Sequence, residues 1–278
     1  MSDLTFRGLF GPQRDYAYFG APGFPAAGEG FDVVRARWLA EASLLAYVPE
    51  EERVRAAWAA AGFDDVVFFA RESTAGHAAS RGDTTILVFR GTEPDDPEDF
   101  RTDLRVWLTD AAGAGRVHRG FKAALDLVWE DVAAHLRGRR PWFTGHSLGA
   151  ALATLSAARH GGGAGLYTFG SPRVGDAAFR DSIPCPAFRV VNNNDLVCRV
   201  PPTPYRHVGE RVYLDRDGNL RRGTRLLERV GDQIAGHADR AAESVRRWLA
   251  GEKTIAYDSL IDHSPLRYAS ILCQAQLF

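Results

Sequence analysis

The stretch Pro141-Trp142-Phe143-Thr144-Gly145-His146-Ser147-Leu148-Gly149-Ala150-Ala151-Leu152-Ala153 decides how the rest of the chain is read. Trp142 to Thr144 is a short apolar run, the pattern of a buried strand. Ala150 to Ala158 is alanine-rich, the pattern of a helix. Between them, Gly-x-Ser-x-Gly makes a tight strand-to-helix turn. A side chain at position 145 or 149 would collide with a neighbouring strand or helix. Ser147 is expected in a strained backbone conformation with its hydroxyl raised above the sheet edge. It also lies at a helix N-terminus, where free N–H groups favour developing negative charge. The bland reading is a chance motif in a chain with 28 glycines. The strand on one side and the helix on the other argue for a candidate nucleophile.

Outward from this turn, strands alternate with helices. Upstream, helical spacing runs from Val33 to Tyr47, and a second helix starts at Pro49-Glu50-Glu51-Glu52 and runs through Trp58 to Gly62. Strand-like runs cover 66–69 and 84–89, separated by a small-residue turn. One helix is expected from Gly120 to Leu136. Downstream, strands are expected at 165–169 and 187–191, a hairpin at 211–220, and an amphipathic helix from Leu226 to Leu249. Residues 1–30 read as an irregular arm packed through Phe6, Phe10, Tyr16, Tyr18 and Phe19. Such alternation predicts a mostly parallel central sheet flanked by helices. The loops after strands 84–89, 142–144, 165–169 and 187–191 should then share one rim. At 278 residues the chain can form one large domain, and no linker or repeat divides 1–278.

Bulk properties exclude several function classes. Net charge is −1 with acid and base evenly mixed, so no nucleic-acid partner is expected. No apolar run approaches the ~20 residues of a membrane span. Cys185, Cys198 and Cys273 are unclustered and form neither a disulfide framework nor a metal pattern, so no metal or cofactor is expected. Met1 to Phe6 lacks a basic start followed by an apolar core. With the cysteine usage, this leads to the expectation of a cytoplasmic location, with secretion open if the chain is a mature form.

A serine hydroxyl needs a base, and a histidine base needs a carboxylate to fix its tautomer. In strand-turn-helix serine sites the order is Ser, acid, His. Asp195 follows strand 187–191 directly and is the candidate acid. Its rival, Asp176, sits farther from a strand end and reads as a helix cap. The base comes from His207, His237 or His263. His237 falls inside the helix expected over 226–249, and His207 lies at the entry to the hairpin. His263 occupies a late loop before Pro265 and can reach back to the rim. His146 and His118 read as structural. An oxyanion hole needs two N–H groups. Leu148, after the serine, supplies one, and the loop Arg90-Gly91-Thr92 supplies the other.

These residues together resemble the class 3 lipases of the α/β-hydrolase superfamily. The matching pieces are Phe89-Arg90-Gly91-Thr92, Val117-His118-Arg119-Gly120-Phe121, Gly145-His146-Ser147-Leu148-Gly149, Thr168-Phe169-Gly170-Ser171-Pro172-Arg173-Val174-Gly175 and Asn194-Asp195-Leu196-Val197 followed by Pro201-Pro202. The resemblance implies an α/β-hydrolase fold and hydrolysis of lipid-like carboxylic esters through an acyl-serine. It implies Ser147 as nucleophile, Asp195 as acid, His263 as base, and Thr92 with Leu148 as oxyanion donors. Rival readings are a non-catalytic hydrolase-fold interaction protein and an acyltransferase using the same triad. Where family lipases carry an apolar lid helix, Glu93 to Asp103 offers Phe100 amid six carboxylates. Soluble short- to medium-chain esters are therefore expected as substrates, without interfacial activation. The sequence leaves the alcohol and the oligomeric state open.

Overall fold

A computed structural model describes residues 16–92, 108–111, 114–215, 217–222 and 261–275. Its strands are β1 (Asp65–Arg71), β2 (Thr74–Arg81), β3 (Thr84–Phe89), β4 (Leu108–Asp110), β5 (Arg116–His118), β6 (Trp142–His146), β7 (Gly165–Phe169), β8 (Ala187–Asn192), β9 (Glu210–Leu214) and β10 (Leu220–Arg222). Its α-helices are α1 (Val33–Leu45), α2 (Glu51–Ala60), α3 (Arg119–Asp126), α4 (Trp129–Leu136), α5 (Leu148–His160), α6 (Ala177–Asp181) and α7 (Pro265–Gln274). Among the described residues the main sheet has eight strands in the order β1-β2-β3-β6-β7-β8-β9-β10. From β3 through β9 every pairing is parallel; β1–β2, β2–β3 and β9–β10 are antiparallel. The mostly parallel sheet with helices on both faces is the expected architecture.

Each face of the sheet buries its own apolar cluster. One joins Leu87, Phe143 and Leu166 to Phe121, Leu125, Val132 and Leu152 of α3, α4 and α5. The other joins Ile86, Trp142 and Tyr167 to Trp38 and Leu39 of α1, Trp58 of α2 and Tyr268 of α7. Alternate residues of one strand feed opposite clusters, as the two-residue period requires. Phe19 stacks on Trp38 and Trp58 with centroids 4.8 and 4.4 Å away. Phe6, Phe10 and the helix expected over 226–249 lie outside the described residues.

Three expectations need correction. The small-residue turn between the first two strand runs is in fact β2, Thr74-Ala75-Gly76-His77-Ala78-Ala79-Ser80-Arg81. It pairs on both sides and is buried on both, so neighbours rather than β-branched side chains hold it extended. Its His77 accepts the Trp58 indole N–H at 2.9 Å, and burial pushes the imidazole down to about 3. The helix expected over 120–136 is two, α3 and α4, broken at Val128 with ψ near −1°. Phe121, Leu125, Val128, Val132 and Leu136 are buried across the break, so the apolar spacing carries no trace of it. Finally, α7 starts with Pro265 in its first turn and packs on α1, where the sequence reading assigns no element.

The candidate active site

Ser147 closes β6 and opens α5 with φ 57° and ψ −126°, a region that costs a non-glycine residue of order 1–3 kcal/mol. Its backbone N–H donates to Phe169 O at 3.0 Å, tying the turn to the end of β7. The turn tolerates nothing larger on either flank. A Cβ on Gly149 would lie 2.1 Å from Phe89 O, and one on Gly145 2.3 Å from Gly149 O.

His263 Nε2 lies 2.9 Å from Ser147 Oγ, and its Nδ1 lies 2.9 Å from Asp195 Oδ2. A carboxylate only accepts, so Nδ1 carries the proton and Nε2 offers its lone pair to the serine hydroxyl. The three side chains come from the loop after β6, the turn after β8 and the residue pair before α7. All are at most 2 % exposed, so charge that develops here is weakly screened. Burial opposes the charge on Asp195, but His263 beside it and the hydrogen bonds from His263 and Tyr268 win. They hold its carboxyl below the ordinary 3.8.

Gly170, at φ 59° after β7, forms the floor beneath this pair. A Cβ there would lie 2.9 Å from Asp195 Oδ2 and 2.9 Å from His263 Nδ1. Gly170→Ala is therefore expected to displace acid and base together and to lower kcat/KM by about 10²-fold. Steady-state rates on a soluble ester, beside a circular-dichroism check of folding, measure it.

The site includes residues that sequence reading missed. Tyr268 of α7 donates its hydroxyl to Asp195 Oδ2 at 2.6 Å, and its oxygen accepts the Asn192 N–H at 3.0 Å. Burial, and then Asp195 beside it, push its phenol well above 10, so it stays a donor. Val197 N–H donates to Asp195 Oδ1 at 2.9 Å. Asp262 clamps the asparagine turn: its Oδ2 accepts Asn193 Nδ2–H at 2.9 Å and Asn194 N–H at 3.2 Å, while its carbonyl accepts Asn192 Nδ2–H at 2.9 Å. The run Asn192-Asn193-Asn194 thus fastens the acid's turn to the base's. The signal was present as three consecutive amide side chains and an Asp before His263, but it reads equally well as turn composition.

His146 points away from Ser147: its Nε2–H donates to His263 O at 2.6 Å and its Nδ1 accepts the Tyr47 hydroxyl at 2.8 Å. Burial and the adjacent His263 hold it neutral, far below 6.5. Asp176 caps α6, accepting the Phe179 N–H at 3.0 Å. His118 sits at the start of α3 and stacks on Phe121. His207 has no contact with Ser147 or Asp195 among the described residues, and His237 lies outside them. Leu148 is the first residue of α5, so its N–H has no partner within the helix. A Cβ on Gly91 would lie 2.7 Å from His146 O and 3.2 Å from Ser147 Cβ, so the loop holding Thr92 runs directly against the turn. The loop from Glu93 to Asp103 lies outside the described residues.

Residues 86–205 match the class 3 lipase family. The matched segment contains most of β3, the serine turn, the Gly170 floor and Asp195, but not His263. A secreted mono- and diacylglycerol lipase from Fusarium solani is 37 % identical over 142 residues, 41 % of this chain and 41 % of that protein. A phospholipase A1 from rice is 30 % identical over 213 residues, 62 % of this chain and 52 % of its own. The chain thus spans about half or less of the curated relatives it matches. The solved structure of a triacylglycerol lipase with a serine-protease triad as its catalytic centre superposes with a TM-score of 0.51 at 25 % identity. That superposition covers 64 % of this chain and 77 % of the lipase. The fold is the α/β-hydrolase fold of the fungal lipases. No helix among the described residues is long and apolar enough to cross a membrane.

Proposed function

We propose that this chain is a serine hydrolase of carboxylic esters, acting on lipid-like substrates through an acyl-serine intermediate. The observation that carries the reading is the Ser147–His263–Asp195 relay, two contacts of 2.9 Å at the carboxyl edge of a parallel sheet. Ser147 Oγ attacks the carbonyl carbon as His263 Nε2 takes its proton. The oxyanion lies against the backbone N–H groups of Leu148 and Thr92. His263 returns the proton to the leaving alcohol, and water repeats the two steps on the acyl-serine. Asp195 keeps the base in the competent tautomer and stabilises the imidazolium. The relatives' descriptions, acylglycerol lipases and a phospholipase A1, support a lipid ester as substrate. Labelling of Ser147 by a fluorophosphonate, with a chain-length series of esters and a Ser147→Ala control, tests the reading; a silent, folded protein overturns it.

The whole of 1–278 is read as one α/β-hydrolase domain. A cytoplasmic location is proposed from three free cysteines, though the Fusarium relative is described as secreted. Cell fractionation decides between the two.

Substrate access gives a further expected result. A lid that opens on oil is repaid by apolar area buried, at about 25 cal/mol per Å². Glu93 to Asp103 carries Phe100 among Glu93, Asp95, Asp96, Glu98, Asp99 and Asp103, so it gains little on a lipid surface. Soluble short- to medium-chain esters are expected to be hydrolysed below their solubility limit, with no sharp rise when aggregates form. Rate measured across that limit checks this. A several-fold jump from near-zero activity would show a lid elsewhere in the chain.

A further inference from the structure

A different part of the molecule gathers basic side chains with no carboxylate partner among the described residues: buried Arg189, and half-buried Arg173, His207 and Arg211, the last with its guanidinium 5.9 Å from the Tyr213 ring centroid. Arg189 lies in the middle of β8, between Phe188 and Val190 of the apolar core; it is 8 % exposed, and its Nε has no hydrogen-bond partner. At the same register on parallel β9 stands Arg211, its Nε likewise buried and unpartnered. Paired residues of neighbouring strands project from the same face of the sheet, so the two guanidinium stems leave side by side. Arg173 enters from the loop after β7. Its backbone N–H donates to Val200 O at 2.8 Å, and its Nη1 donates to Arg199 O and, at 2.8 Å, to Pro201 O. A bridge between Gly175 and Arg206 brings the next residue, His207, into the same layer, and its Nδ1 is also buried without a partner.

Like charge therefore meets like charge. Burial, then Arg189 and Arg173, hold the His207 imidazole neutral, far below 6.5. Burial, with Arg211 and Arg173 nearby, pushes Arg189 down to about 10. Among the described residues no carboxylate forms an ion pair with any of the four. Cys198 sits between Arg189 and Asp195, but burial and Asp195 push its thiol well above 9, so it supplies no counter-charge. An arginine is expensive to bury unless its planar fork is matched by acceptors, and oxyanions match that fork best.

We propose that Arg189, Arg211, Arg173 and His207 form an inner binding site for a small oxyanion of the phosphate or sulfate class. Occupancy would join β8, β9 and the loop after β7 through one ligand. It would also brace the segment from Asp195 to Pro201, because Arg173 is already bonded to the end of that segment. The proposal does not depend on the esterase reading. Its oxyanion could be free phosphate or the phosphate of a lipid headgroup.

Thermal unfolding of the full chain in phosphate and in chloride, at matched ionic strength, tests the proposal. Phosphate at about a hundredfold excess over its dissociation constant is expected to raise Tm by roughly 5 °C, and chloride to leave it unchanged. Arg189→Met should abolish the phosphate response and raise Tm in its absence, because it removes an unpaired buried charge. Equal responses to the two anions, or an undiminished response in Arg189→Met, overturn the site. If Arg189→Met does not fold, calorimetric titration of Arg211→Gln carries the test: phosphate binding should weaken about tenfold or more, and unchanged affinity overturns the proposal. A parallel titration uses dibutyryl phosphatidate. With Ser147→Ala protein, so that the ester is not hydrolysed, binding of phosphate alone supports a free-oxyanion site, binding of both ligands with both weakened by Arg211→Gln supports a site that also takes a headgroup, and failure of phosphate to bind overturns the proposal.

Discussion

Ser147→Ala is expected to lower kcat on a soluble ester by a factor on the order of 10⁶ while the protein stays folded. The residue loses only Oγ, the proposed nucleophile, whose hydroxyl donates to His263 Nε2 at 2.9 Å. Alanine inherits the φ 57° strain, so the turn itself neither gains nor loses by the change. The buried imidazole nitrogen loses its partner, which costs about 1–3 kcal/mol and lowers Tm modestly. Residual rate over water would come from the N–H groups of Leu148 and Thr92, which the substitution leaves in place. Members of a triad act as a unit, so His263→Ala should lose about as much as Ser147→Ala. His207→Ala should lose far less, since its neighbours are Arg173 and Arg189 rather than the serine. Near-normal turnover by a folded Ser147→Ala protein would place the chemistry elsewhere. The reverse ranking of the two histidines would reduce the segment 261–275 to structural packing.

How much of the fold and the site is legible in the sequence depends on how local each signal is. The serine turn was legible because steric need dictates its sequence: Gly149 lies so close to Phe89 O that no Cβ fits. Strand ends were legible for the same reason, since Gly91, Gly170 and the asparagine turn at 192–194 are what tight exits from a parallel sheet require. His263 could be chosen over His207 only by its place in a late loop and by family resemblance. Nothing within its own sequence neighbourhood reveals that Asn192, Asn193 and Asn194 hold Asp262 from about seventy residues away. Tyr268 was missed on the same grounds, because its role depends on α7 packing against the sheet. β2 was missed because both its neighbours hold it extended, so small residues suffice. The break at Val128 was missed because a continuous apolar stripe serves one helix or two. Signals carried by sterics within five residues survived in the sequence. Those carried by pairing over long distances did not.

The same long-range contacts make Asp195→Asn the most informative single-atom change. Asp195 accepts three donors on two oxygens: His263 Nδ1–H and Tyr268 O–H on Oδ2, and Val197 N–H on Oδ1. An asparagine has one acceptor and one NH₂ group, so it cannot satisfy all three. With its oxygen toward His263, its NH₂ faces the Val197 N–H and a hydrogen bond is lost. With its NH₂ toward His263, the imidazole must accept at Nδ1 and carry its proton on Nε2, facing Ser147. The base then has no lone pair for the serine proton, and in either orientation the imidazolium loses its counter-charge. A fall in kcat of about 10⁴ is expected, with the fold retained. Stability supplies an independent check with a defined sign. The Asp195 carboxyl is held below 3.8 when folded, so the unfolded chain binds more protons there. Its contribution is present above 3.8 and is lost as pH falls through the folded value. The Tm advantage of the unmodified protein over Asp195→Asn should therefore be steady near pH 7 and shrink on acidification below 3.8. A folded Asp195→Asn protein that kept more than about a tenth of the original kcat, or a Tm gap that widened in acid, would remove Asp195 from the triad.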